Sequence, residues 1–282
     1  MAIRTILVPT WQGADPAMAL DTAEAFARAL ESWLELVFIR SNPNAVVSMV
    51  PELVPVTKFE FEAIDREGRA AAAKSRTEFE AWTRERELVP AEPGDNAVGP
   101  VGSWVEEIGE VAAAIEHRGR LSDMLVLSLG QTDDYMSARA VEAALFGTGR
   151  PVVLVREKLA APPLQHVMIA WNGTLEASQA VSQSYDLLRR AERVSIVGEP
   201  PNIDARHELA QYIRRQGLMP DTELEIVPAA STGASLLATA QKAGVTLMVR
   251  GAYTHGRLRQ TLLGGITRDV LEQARLPIFM MH

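Results

Sequence analysis

Short apolar runs alternate with amphipathic segments along the chain, an order typical of parallel β-strands connected by helices. The first apolar run covers residues 3–9, and residues 16–31 behind it carry their apolar side chains at helical spacing. The same order starts again at residues 166–171, followed by a second helical pattern over residues 175–190. The chain therefore contains one β/α unit that occurs twice.

The later elements of the two halves also follow one order. Each half has a second strand, a charged helical segment, a third strand, an amphipathic helix, a fourth strand, a further helix and a fifth strand that begins at proline. Apart from the further helix, the segments are 34–39, 59–87, 97–101, 104–117, 123–129 and 151–156 in the first half, and 193–198, 204–216, 223–227, 234–243, 245–250 and 277–281 in the second.

This alternation predicts an α/β fold with two tandem doubly wound domains, each with a five-stranded parallel sheet flanked by helices. We place the domains at residues 1–157 and 165–282, with a proline-containing linker between them. The alternative is one continuous sheet of about ten strands. The repeat favours two domains.

Composition excludes several classes of function. The 36 acidic residues outnumber the 28 basic ones, and the formal charge of -8 disfavours nucleic acid as a partner. The sequence has no cysteine, so it forms neither disulfides nor Cys-ligated metal sites. No segment approaches the roughly 18 apolar residues that a membrane span needs, and residues 1–11 lack an export signal. We therefore expect a cytoplasmic protein that has no membrane partner.

The loop after the fourth strand of the second half is the strongest candidate for chemistry, because open parallel sheets bind ligands beyond the carboxyl ends of their strands. It begins at Gly251, continues through Gly264 and Gly265, and leads into a helical segment at 269–274. Glycines and a helix start allow backbone amides to approach an anion. Four arginines, at 250, 257, 259 and 268, add positive charge. Phosphate is the predicted ligand; the alternative is a structural turn with solvated arginines.

This loop resembles the G-x2-G-x9-G-[Ser/Thr] signature of the universal stress protein family. Gly251 and Gly264 match the first and third glycines, and Thr254 stands at the second. Gly265 replaces the hydroxyl residue, and Thr267 follows two positions later. The turn after residue 171 is similar to the family's Asp-Gly-Ser turn, with Asn172 in place of the acid.

The resemblance implies a non-catalytic stress-response protein with at most one weak site for an adenine nucleotide, ATP or AMP. The site residues would be Asn172, Gly251, Thr254, Gly264, Gly265 and Thr267. The first half lacks both the glycine signature and the acid, so no nucleotide is expected there. Two alternatives are a nucleotide-dependent α/β enzyme, which hydrolyses or transfers from ATP, and a partner-binding module that holds no nucleotide.

The resemblance also implies how the two halves assemble. Family relatives commonly pair through their fifth strands, so we expect strands 152–155 and 278–281 to pair, giving two separate sheets that face each other as an internal pseudo-dimer. Pairing would cover apolar edges that otherwise promote aggregation. A homodimer is a further expectation. The histidines show no spacing suited to a metal, and Glu106 and Glu107 are expected on a solvated helix face.

Overall fold

The fold is described from a computed structural model of the whole chain. The structure describes residues 2–42, 58–92, 95, 99–129, 135–198, 204–221, 233–252, 270 and 273–282.

Strands are followed by helices through most of both halves, as the apolar periodicity predicts, although β3 leads directly to β4 and α5 directly to α6. The elements of the first half are β1 (Thr5–Trp11), α1 (Ala17–Leu30), β2 (Trp33–Arg40), α2 (Lys58–Glu85), β3 (Val89–Pro90), β4 (Val101–Ile108), α3 (Val111–Gly119), β5 (Met124–Ser128), α4 (Tyr135–Gly147) and β6 (Val152–Val155). Those of the second half are β7 (His166–Trp171), α5 (Leu175–Gln183), α6 (Tyr185–Arg190), β8 (Arg193–Gly198), α7 (Ala205–Arg214), α8 (Gly233–Lys242), β9 (Leu247–Gly251) and β10 (Ile278–Met281).

All of these strands belong to one ten-stranded sheet in the order β3-β4-β2-β1-β5-β6-β10-β9-β7-β8. Within each half the paired strands are parallel, which confirms the doubly wound α/β arrangement. The halves meet where β6 and β10 pair antiparallel, with Val153 opposite Phe279. The predicted pairing of the fifth strands is therefore confirmed.

The expectation of two separate sheets that face each other is wrong. Backbone pairing of β10 with β6 joins the sheets of the two halves edge to edge. All the described strands therefore lie in one hydrogen-bonded layer. A strand edge offers its unpaired amides and carbonyls within the plane of the sheet, and pairing through that edge extends the sheet instead of stacking a second one on it.

The predicted helix at residues 104–117 is also wrong over its first part. Residues 101–108 form β4, which pairs with β2 along its whole length, and the helix begins only at Val111. Glu106 and Glu107 therefore leave opposite faces of a strand: Glu106 pairs with Arg40, and Glu107 pairs with Arg118. In the second half, the predicted third strand at 223–227 lies outside the described residues.

Each face of the sheet carries one apolar core that runs through both halves. Ile6, Val153 and Phe279 face the layer that contains α1, α5, α6 and α7. Leu7, Leu154 and Ile278 face the layer that contains α3, α4 and α8. Neighbouring residues of a strand point to opposite faces, so strands covered on both sides must be apolar throughout. This requirement explains the uninterrupted apolar runs in the sequence.

Polar contacts between the halves add to this core near the start of β1. Asp186 of α6 accepts a hydrogen bond at Oδ2 from the backbone N–H of Ile3, at 2.9 Å. Arg190, one turn further along α6, donates to the carbonyl of Ala29 at 3.0 Å. On the opposite face, the ring of His282 meets that of Phe146 edge to face, with 4.6 Å between centroids. The halves are therefore in contact on both sides of the sheet.

The long helix α2 is the main difference between the described parts of the two halves, and ion pairs of one buried arginine fix it to the sheet. Arg40, at the end of β2, is buried and donates to Asp65 of α2 at 2.7 Å and to Glu106 of β4. These carboxylates and their hydrogen bonds raise the pKa of Arg40 and keep its guanidinium charged. One buried cation thus connects α2 to two neighbouring strands.

The two-residue strand β3 forms the outer edge of the first half, and it is protected against pairing with a further strand. The N–H groups of Val89 and Ala91 both donate inward, to the carbonyls of Pro100 and Gly102. Pro90 between them has no N–H to offer on the outer side. Short edge strands that contain proline are a known protection against edge-to-edge association.

His166 is buried at the start of β7, where both ring nitrogens have partners. Nδ1 lies 3.1 Å from the carbonyl of Ala243, and Nε2 lies 2.9 Å from the hydroxyl of Ser195. The carbonyl can only accept, so Nδ1 carries the proton and Nε2 of the neutral ring accepts from Ser195. Burial disfavours the charged ring and lowers the pKa of His166 below its ordinary value of 6.5.

Replacing His166 should reduce the loss of stability in acid. Because the pKa of His166 is lower in the folded protein, the unfolded chain binds a proton more readily. The contribution of neutral His166 to the free energy of unfolding is therefore complete above about pH 6.5 and is lost as the pH falls toward the folded-state pKa. Urea unfolding across this interval should give a shallower slope of free energy against pH for His166→Gln than for the wild type. The matched control is His207→Gln, which makes the same substitution at an exposed position and should change the stability by less than about 0.5 kcal/mol.

Phe279→Ala should destabilise the protein by about 3–5 kcal/mol, because a fully buried ring at the junction of the halves is removed and a cavity remains. The matched substitution Phe146→Ala removes a ring that is 47% exposed and should cost about 1 kcal/mol or less. Chemical denaturation measures both free energies of unfolding. Equal losses for the two variants would contradict the description of the junction as core.

Candidate functional site

The antiparallel junction determines where each half can bind a ligand. Parallel sheets bind ligands at the carboxyl ends of their strands. The strands of the second half run opposite to those of the first, so the two carboxyl ends lie at opposite edges of the common sheet. The chain therefore has two separate candidate regions, one beyond β1 and β5 and one beyond β7 and β9.

In the second half, the turn that follows β7 is held by its own side chains. Asn172 Oδ1 accepts a hydrogen bond from the backbone N–H of Thr174 at 3.2 Å, and Gly173 between them has a φ of 77°. Thr174 is the N-cap of α5, and its hydroxyl accepts from the N–H of Ala177 at 3.3 Å. Asn172 therefore contributes to the turn, in addition to any contact with a ligand.

Gly251 ends the neighbouring strand, so the structure brings it to the same edge as Asn172. The parallel register of β7 and β9 pairs Ile169 with Val249, and its continuation places Trp171 beside Gly251. A Cβ added at Gly251 would lie 2.5 Å from the backbone nitrogen of Ala177. Glycine is thus required here for the close approach of β9 to the first turn of α5, whether or not a ligand binds.

The other predicted site residues, Thr254, Gly264, Gly265 and Thr267, lie outside the described residues. So do His255 and the arginines at 257, 259 and 268. Arg250, the first arginine of the predicted cationic segment, is described: it belongs to β9 and is only 4% exposed. It is a buried strand residue, not a solvated loop residue.

The first half contains an open cleft that was not predicted from the sequence. It has a volume of about 440 Å³ and lies beyond β1 and β5, lined by Trp11, Asp15, Ser128 and Arg156 among others. The Ser128 hydroxyl is buried and has no hydrogen-bond partner among the described residues. The sequence feature that could have indicated this cleft is Ser128 at the last position of the apolar strand β5. It belongs to no glycine motif.

Two further findings concern only the described part of the chain. No three His, Asp or Glu side chains converge there in a way that could hold a metal ion. None of its helices has the length and apolar character needed to cross a lipid bilayer.

No protein-family model matches the sequence, and no curated protein matches it. The structure, in contrast, is similar to solved structures along its whole length. A universal stress protein from Archaeoglobus fulgidus DSM 4304 superposes with a TM-score of 0.68 at 13% identity, over 98% of this chain and 97% of its own. A functionally unknown protein from Pseudomonas aeruginosa PAO1 gives a TM-score of 0.56 at 15% identity, over 99% and 92%.

Together with the strand order, these comparisons define a doubly wound α/β fold over the whole length of the chain. The fold is that of the universal stress proteins, and the resemblance suggested by the sequence is confirmed at the level of fold.

Gly251→Ala should destabilise the protein by about 1–3 kcal/mol, because the new Cβ overlaps backbone atoms of α5 that cannot move independently. Gly109→Ala is the control, since a Cβ there would have no atom within 4 Å. Thermal unfolding without added ligand compares the two variants. If Gly251→Ala is as stable as Gly109→Ala, the close packing of β9 against α5 is not required.

Proposed function

We propose that this chain is a non-catalytic, cytoplasmic stress-response protein that binds one adenine nucleotide weakly in its second half. The observation that carries the proposal is the meeting of a polar turn and a glycine strand end at one carboxyl edge, Asn172 after β7 and Gly251 at the end of β9. The universal stress protein fold supports it, since open α/β sheets bind ligands at such edges.

In this proposal the halves act as domains at residues 1–157 and 165–282, and only the second keeps a nucleotide site. Phosphates would contact the amides near Gly251, Gly264, Gly265 and Thr267, while the adenine side lies near Asn172. The arginines of the same segment would add attraction for the anion. The support for these contacts is the sequence pattern together with the position of the strand end.

The affinity should be low because Thr254 stands where the family signature has glycine. A residue with a Cβ in a left-handed conformation costs about 1–2 kcal/mol, which is roughly tenfold or more in affinity. ATP and AMP are both candidate ligands. A nucleotide-dependent enzyme and a partner-binding module without nucleotide are the competing functions, and mass spectrometry of freshly purified, denatured protein distinguishes them by the nucleotide carried: ATP, its products, or none.

Thr254→Gly should tighten ATP binding about tenfold, and Gly264→Val should abolish it by blocking the approach of the amides. Isothermal titration calorimetry with ATP and magnesium measures both effects. The absence of heat from both the wild type and Thr254→Gly would show that the second half binds no nucleotide.

A substitution in the cleft of the first half is the matched control for the location of the nucleotide site. Ser128→Leu would reduce that cleft and should leave ATP binding unchanged. Binding that survives Gly264→Val but is lost in Ser128→Leu would place the nucleotide in the first half and contradict the proposed assignment.

A further inference from the structure

The turn after β7 contains a chemical feature independent of nucleotide binding. Asn172 is followed by Gly173, and this is the one Asn-Gly pair in the sequence. We propose that Asn172 is a site of spontaneous deamidation, in which its side-chain amide converts to a carboxylate through a cyclic imide that includes the backbone nitrogen of Gly173.

The turn geometry favours this reaction. Asn172 Oδ1 accepts the hydrogen bond of the Thr174 N–H, two residues along the chain, so the side chain turns back toward the main chain that follows it. The same bond withdraws electron density from Oδ1 and makes Cγ a better electrophile. The hydrogen bond therefore keeps the side-chain amide within the turn that contains the attacking nitrogen.

Gly173 removes the usual obstacle to attack. It is exposed to solvent, it has a φ of 77°, and it has no Cβ to crowd the ring that forms. Water and hydroxide therefore reach the peptide nitrogen whose proton must be lost. A side chain at this position would both strain the backbone and shield the nitrogen.

The reaction needs only water as co-reactant. The Gly173 nitrogen loses its proton and bonds to Asn172 Cγ, the Cγ–Nδ2 bond breaks, and ammonia leaves with that proton. Water then adds to one of the two imide carbonyls. Opening at one side gives aspartate at position 172, and opening at the other gives isoaspartate, in which the main chain runs through the side-chain carbon.

The two products should differ in their effect on the turn. Aspartate keeps an acceptor for the Thr174 N–H, and its negative charge lies close to the N-terminus of α5, where anions are favoured. Isoaspartate lengthens the main chain by one carbon between β7 and α5, so the hydrogen bond to Thr174 should be lost. Deamidation would therefore place a new charge at this carboxyl edge and leave part of the protein with an altered turn.

The chain supplies its own controls. Asn42 precedes a proline, which has no N–H to lose, so it cannot react by this route. Asn44 and Asn96 precede alanine, and Asn202 precedes isoleucine, whose branched side chain hinders attack. One digest of one sample therefore compares all five asparagines under identical conditions.

The test is to incubate the folded, full-length protein in mildly alkaline buffer, digest samples over time, and quantify by mass spectrometry each peptide in which –OH has replaced –NH2. Asn172 should react at least about tenfold faster than Asn96 or Asn202, which corresponds to a barrier lower by about 1.4 kcal/mol. Aspartate and isoaspartate peptides should both appear at position 172, with Asn172→Asp protein as the chromatographic reference for the first.

Two variants test the role of the turn. Gly173→Ala should slow the reaction about tenfold or more, whereas Thr174→Ala, which keeps the backbone N–H but loses the capping hydroxyl, should leave the rate unchanged. Circular dichroism confirms that both variants are folded. The proposal is overturned if Asn172 in the folded protein reacts no faster than Asn202, or if it reacts only after denaturation, since the fold would then protect the turn.

Discussion

The antiparallel pairing of β6 with β10 is the constraint on which the rest of the structure depends. Three register pairs, centred on Val153 and Phe279, join two parallel sheets into one layer and reverse the strand direction between them. Because the two sheets share one layer, helices of both halves cover the same two faces, and each face has a single apolar core. The same reversal sends the two carboxyl edges, and with them the two candidate regions, to opposite sides of the molecule.

The periodicity of the sequence predicts most of this fold, since strands buried on both faces leave a clear pattern of consecutive apolar residues. It fails at β4, where the adjacent Glu106 and Glu107 interrupt the apolar residues in a way that also suits an amphipathic helix. β4 lies next to the edge of the sheet, where exposure is mixed and long-range pairing with β2 decides the conformation. The joining of the two sheets was not predicted, although it follows once the fifth strands pair edge to edge.

The candidate site, like the fold, was predicted only in part from the sequence. The sequence correctly identified Asn172 and Gly251 as strand-end residues of one edge, but a motif alone could not show that Gly251 also has to admit the first turn of α5. A glycine can be required because packing leaves no space for a Cβ or because a ligand must approach the backbone. At Gly251 both reasons favour glycine. The cleft beside Ser128 was missed because its polar side chains belong to no glycine motif, although β1 and β5 meet there as β7 and β9 do in the second half.

The junction between the halves also changes how assembly depends on concentration. In a dimer of separate chains, pairing of the fifth strands would require an encounter between two molecules and would weaken on dilution. Here the partner strands belong to one chain, and the connection between β6 and β7 keeps them at a fixed effective concentration. The pairing is therefore as complete in a dilute solution as in a crowded one, and the two halves are always present in a ratio of one to one.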